Sequence, residues 1–215
     1  MTRAQNKPLL QIIDLSFGYP GRELFNHLSA DMTPGINLVL GGDGRGKSTL
    51  LRLLAGVSAP QSGRLCIDGI DQQTHTADYQ ANVFWMEPHS NAFDQLTVLD
   101  YFALQRARHV RFDDAVLAAV TDGLGLGDHL HKQLFMLSTG SKRKVWLAAA
   151  FASGAAVTLL DEPFAALDAP SIAFITAWML DTESTADAAG DRIWVWADYT
   201  APSGLLLAQV IDLGD

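Results

Sequence analysis

A chain of 215 residues with 48% hydrophobic and 18% charged residues can bury a sizeable core, which excludes a disordered or fibrous protein. A net charge of −9 disfavours a nucleic-acid partner gripped through its phosphate backbone, yet leaves room for a small phosphate ligand at a local positive site. Cys66 is the single cysteine, so no intrachain disulfide can form, and a reducing compartment is expected.

Residues 1–11, MTRAQNKPLLQ, hold no apolar run of signal-peptide length. Residues 9–19 alternate and are rich in branched side chains, so a strand is expected there. A short buried strand at 36–40 and a helix at 48–55 follow, with Gly56 as the helix stop. SAPQSGRLCIDG reads as turn, strand and turn, with Cys66 as a small buried apolar residue. Residues 83–86 read as another short strand. Two helices are expected at 96–110 and 112–124, then DGLGLGD as a break, then a helix at 138–151. AVTLLDEP is a strand running into a loop. A helix at 171–180, a polar loop DTESTADAAGD, and strands at 193–196 and 205–213 complete the chain. The apolar stretch 145–160 is broken by Ser153 and Gly154, so it reads as a helix end and a buried strand, not a membrane span. Trp194 and Trp196 share one face of their strand and read as core. Strands alternating with helices across short loops predict a three-layer α/β core with a helical insert.

The most informative segment is GGDGRGKST: Gly41, Gly42, Asp43, Gly44, Arg45, Gly46, Lys47, Ser48 and Thr49. Its spacing, between a strand and a helix, fits a phosphate-binding loop. Glycines let the backbone N–H groups approach an anion, and the following helix aims its positive end at the same point. Lys47 would reach the β- and γ-phosphates, and the Ser48 hydroxyl would bind Mg²⁺. In VTLLDEP the neighbours Asp161 and Glu162 would point to opposite faces if the strand ran through both, so they cannot share one task. Asp161 would hold Mg²⁺, directly or through water, and Glu162 would polarise an attacking water. LSTGSKRK opens a helix that Ser138 would cap, making a second anion-ready terminus. One triphosphate seldom needs two helix N-termini, whereas two chains arranged head to tail would use both.

Taken together, these motifs resemble the ATP-binding cassette of ABC transporters over nearly the full length. The resemblance rests on the phosphate loop Gly41 to Thr49, the signature Leu137, Ser138, Thr139, Gly140 and Ser141, the run Leu159-Leu160-Asp161-Glu162-Pro163, and Ala166-Leu167-Asp168 as the D-loop. The short length and LSTG resemble small exporter-type cassettes, including those of haem export. The resemblance implies a P-loop NTPase fold: a mostly parallel sheet, a small antiparallel β portion and a helical subdomain. Residues 1–215 would form one domain, with its core at 1–87 and 136–215 and the subdomain at about 88–135. It implies MgATP hydrolysis coupled to transport through a separate integral membrane permease, on the cytoplasmic face of the cell membrane. It also implies a second cassette, as homodimer or heterodimer, with ATP between Lys47 of one chain and Ser138 with Gly140 of the other. Tyr19 matches the aromatic that stacks on adenine, although an ordinary edge aromatic is the alternative.

Two positions depart from the family pattern. Where a glutamine is usual, the chain offers Glu87 or, in a shifted alignment, His89. A carboxylate there can ligate Mg²⁺ but adds negative charge beside the phosphates. Where a histidine is usual after the last core strand, the chain has Ala197 followed by Asp198. Losing that hydrogen bond to the γ-phosphate slows turnover more than it weakens binding. A degenerate cassette that binds ATP and hydrolyses little, as regulator or half of a heterodimer, is therefore the alternative. A chromosome- or repair-type ATPase is disfavoured, because 88–135 is too short for a coiled-coil insert.

Overall fold

A strand buried on both faces is an unbroken apolar run, and INLVL, VTLL and IWVWA have that form. In the computed structural model, which describes residues 10–87, 90–184 and 192–214, these runs are β3 (Gly35–Leu40), β7 (Val157–Asp161) and β8 (Ile193–Asp198). With β6 (Val83–Trp85) and β9 (Leu207–Asp212) they form a parallel sheet ordered β6-β7-β8-β3-β9. A second, antiparallel sheet is ordered β2-β1-β4-β5, from β1 (Leu10–Tyr19), β2 (Arg22–Met32), β4 (Ser62–Ile67) and β5 (Ile70–Asp71).

Side-chain alternation divides the parallel sheet between two apolar layers. Val39, Leu159, Ile193, Val195 and Ala197 pack with α1 (Lys47–Leu54) and with Leu10, Ile12 and Leu65 of the antiparallel sheet. Leu38, Leu160, Trp194 and Trp196 pack on α5 (Thr139–Ala152) and α6 (Ala169–Ser184), so both tryptophans are core, as expected. The insert carries α3 (Val98–Arg108) and α4 (Asp114–Gly123), and it adds Tyr101, Phe102 and Val120 to this second layer. Cys66 is buried in β4. No helix among the described residues is long and apolar enough to cross a membrane.

Three elements lack a periodic sequence signal. β2 buries only Phe25 and Met32 and meets β1 through register shifts, so its polar and apolar residues do not alternate cleanly. β5 has two residues, and α2 (Thr76–Ala81) buries only Tyr79. The loop expected from residue 181 begins later, because α6 runs on to Ser184; the remainder, 185–191, lies outside the described residues.

The C-terminal end of α5 is tied by Arg192, which is neither on that helix nor near it in sequence. Its guanidinium donates to the carbonyls of Ala150, Phe151 and Ala155 at 3.0 Å and to Thr158 Oγ1 at 2.8 Å, and its face lies 4.5 Å from the Trp194 ring. Orphan helix carbonyls and a cation are natural partners. Nearby, His109 caps α3 and tilts against Phe84, with ring centroids 5.6 Å apart. Burial, then the charges of Arg108 and Arg192, push its pKa down to about 4. A group depressed in the folded state contributes stability that is present above its unfolded value and is lost as pH falls through the folded one. Unfolding free energy should therefore drop by on the order of 2 kcal/mol between pH 7 and pH 4, allowing for partial solvation. Urea titrations of wild type and His109→Gln check this, and an equal pH slope in both proteins rules it out.

Candidate functional site

The loop between β3 and α1 is set by backbone geometry that only glycine accepts without strain. Gly44 and Gly46 have φ of 68° and 98°, and a Cβ on Gly46 would come within 2.9 Å of Phe25 Cζ. Gly46 is the N-cap of α1, and among the described residues no side-chain cap bonds the N–H groups at the start of the helix. Those donors and the helix dipole face the cleft, as an anion requires. Arg22 Nη2 donates to the Gly44 carbonyl at 2.6 Å, so β2 holds the loop from outside. Lys47 is 6% exposed, and its ammonium donates to the carbonyls of Gly41 at 2.5 Å and Gly42 at 3.0 Å.

At the end of β7 the chain turns at Glu162, which has φ of 46°. Its N–H donates to the Ala197 carbonyl at 2.8 Å. Asp161 is therefore the last strand residue, and Glu162 leaves the strand, so the two side chains are separated by a backbone turn as well as by alternation. Arg143, buried on α5, donates from Nη1 to the Asp161 carbonyl at 2.7 Å. Burial lowers its pKa, while the charges of Asp161 and Glu162 oppose that shift.

One cleft of about 540 Å³ brings Tyr19, Ser48, Thr49, Asp161 and Glu162 together with Arg52, Glu87 and Thr139. An adjoining cleft of about 290 Å³ holds Gly42, Gly44, Arg45, Gly46 and Lys47 and shares Tyr19, Ser48, Thr49 and Glu162. The Tyr19 ring meets Phe17 edge-on at 5.4 Å, and its hydroxyl lies 3.5 Å from Thr49 Oγ1. Among the described residues no group of three or more His, Cys, Asp or Glu could hold a metal. A hydroxyl from Ser48 and a carboxylate from Asp161 suit an ion that keeps waters and takes phosphate oxygens, as Mg²⁺ does.

Glu87 lies in this cleft, ion-paired with Arg52, so its charge is balanced by a cation on α1. His89 lies outside the described residues. Ala197 is fully enclosed, with its methyl in the core layer behind the loop. Ser138 caps α5 as expected, accepting the Ser141 N–H at 3.1 Å, and its hydroxyl donates to Ser141 Oγ at 3.0 Å. Leu137 is buried, and Gly140 approaches the Ala166 carbonyl so closely that a Cβ would sit 2.5 Å from it. Asp168 accepts from the Ser171 N–H at 2.8 Å and from Lys144 at 2.7 Å, and these bonds hold its carboxyl below the usual range.

Three residues at the site escaped sequence reasoning: Arg22, Arg143 and Tyr199. The Tyr199 hydroxyl donates to Asp43 Oδ1 at 2.6 Å, and its ring lies 3.6 Å from the Lys47 ammonium. No motif includes it; the only signal was its place just past a strand that ends at the site.

The profile of the ABC transporter family matches residues 25–165. The chain is 34% identical over 167 residues to the cytochrome c biogenesis ATP-binding export protein CcmA of Pseudomonas savastanoi pv. phaseolicola, covering 77% of this chain and 78% of that protein. It is 37% identical over 147 residues to the sulfate/thiosulfate import ATP-binding protein CysA of Thermosynechococcus vestitus, covering 66% of this chain and 43% of that one. In fold it resembles the solved structure of a putative ABC transporter ATP-binding protein from Pyrococcus furiosus, with a TM-score of 0.75, 22% identity, and coverage of 95% of this chain and 96% of that one.

Proposed function

The chain belongs to the ABC transporter family, and from that premise we propose that it is the ATP-binding and ATP-hydrolysing subunit of an export-type transporter, driving a solute through a separate membrane permease. The observation that carries this reading is the meeting of an anion-ready loop with Asp161 and Glu162 across two adjoining clefts that share Ser48, Thr49 and Glu162. The loop N–H groups of residues 41–49 and Lys47 take the β- and γ-phosphates. Ser48 and Asp161 would hold Mg²⁺, with Glu87, here paired with Arg52, as a further candidate ligand. The ion, when bound, neutralises phosphate charge. Glu162 accepts a hydrogen bond from the attacking water and takes its proton as phosphate is released. Tyr19 stacks on the adenine.

A second cassette completes the site. Leu137 to Ser141 present the N-terminus of α5 to the nucleotide of the partner chain, with Asp168 at the same interface. The pair sits on the cytoplasmic face of the membrane against the permease and uses no nucleic acid. Likeness to export proteins of cytochrome c biogenesis supports the export direction. Ala197 presents an enclosed methyl and so supplies no imidazole to Glu162. Phosphate release from MgATP should run below roughly ten per second, stop when magnesium is chelated and resume when it is restored. If the chain binds MgATP yet releases no phosphate, even beside a second cassette and a permease, the degenerate, regulatory reading replaces this one.

A further inference from the structure

The Lys47 ammonium has three protons, and in this structure the loop and Tyr199 occupy it. Two go to the carbonyls of Gly41 and Gly42, and the face of Tyr199 covers the ammonium at 3.6 Å. The same tyrosine spans to the middle of the loop through its bond to Asp43 Oδ1 at 2.6 Å. Tyr199 and Glu162 line one cleft with Lys47, on the side where the loop faces the end of β7. A triphosphate must displace the ring to reach Lys47. Glu162 lines that cleft and Asp43 holds the Tyr199 hydroxyl, so a phosphate there needs neutral or cationic donors.

Resting on the proposed phosphate site, the geometry points to Tyr199 as the residue that reads the γ-phosphate: its ring covers Lys47, and its hydroxyl moves from Asp43 to a γ-phosphate oxygen when MgATP binds. A diphosphate leaves that hydroxyl on Asp43, so only ATP gains the bond. The phenol is suited to a donor role. Its bond to Asp43 foremost, then burial and the charges of Asp43 and Glu162, push its pKa up to about 12, so it keeps its proton at neutral pH. Tyr199 is about half exposed, so replacing it does not empty the core.

Calorimetric titration of the full chain with MgATP and MgADP separates the two parts of this role. Tyr199→Phe keeps the ring over Lys47 and removes the hydroxyl. It should weaken MgATP about threefold relative to MgADP, because wild type trades a bond to Asp43 for one to the more highly charged γ-phosphate and only that difference is lost. MgADP leaves the tie to Asp43 in place, so its affinity is the reference, and the ratio reports by how much the γ-phosphate contact outweighs the tie it replaces. Tyr199→Ala also uncovers Lys47, so MgADP should bind several-fold tighter than to wild type, while the ATP-to-ADP preference stays as low as in the Phe variant. A wild-type ratio in Tyr199→Phe, with both nucleotides still binding, overturns the assignment of Tyr199. If wild type binds neither nucleotide, the phosphate site itself is refuted, and the role of Tyr199 falls with it.

Discussion

Lys47→Ala should lower MgATP affinity by on the order of 10²–10³-fold, the equivalent of about 3–4 kcal/mol. The side chain is nearly enclosed and carries the one ammonium held inside the loop by Gly41 and Gly42. Its removal leaves phosphate charge facing loop carbonyls and Asp43 without a counter-charge, in a site where water screens poorly. The loop should survive, because Arg22 holds the Gly44 carbonyl from outside and α1 is anchored by Leu50, Leu51, Leu53 and Leu54 in the core. Calorimetry gives the affinity, and thermal unfolding controls for the fold. Wild-type affinity in a folded Lys47→Ala protein contradicts the phosphate-loop assignment.

Glu162→Gln should cut turnover by about 10²–10⁴-fold while MgATP binding is kept or tightened. Gln fills the same volume and asks for the same backbone at φ of 46°, so the turn after β7 is unchanged. It cannot take a proton from water, and it removes a negative charge from the cleft that receives the phosphate. In the proposed pair of cassettes, hydrolysis would then no longer release the two chains. Sedimentation should show a dimer of Glu162→Gln with MgATP and a monomer without it. A monomer under both conditions points to a different partner chain for the helix terminus at Ser138.

What the sequence made legible was local. Gly41 to Thr49 carries its geometry in its own glycine spacing, and Asp161-Glu162 sits at a strand end that the apolar run VTLL announces. Ser138 caps the helix it precedes. What stayed hidden depends on contacts between distant positions. Arg22 meets the loop 22 residues away, Arg143 meets Asp161 18 residues away, and Tyr199 meets Asp43 across 156 residues. None of these contacts follows from the local pattern of the element that carries the residue. β2 was hidden for a related reason: its few buried residues are set by pairing with β1, not by a period within its eleven residues. The absent imidazole was legible at Ala197, but that its methyl is enclosed, with a phenol two residues on reaching Lys47, required the fold.

The most direct measurement combines binding and chemistry in one sample: wild-type chain mixed with limiting MgATP, assayed for bound nucleotide and, over time, for ADP and phosphate. One MgATP bound per chain, converted to ADP with equal release of phosphate, is the predicted result. ATP recovered unbound and intact would contradict the account.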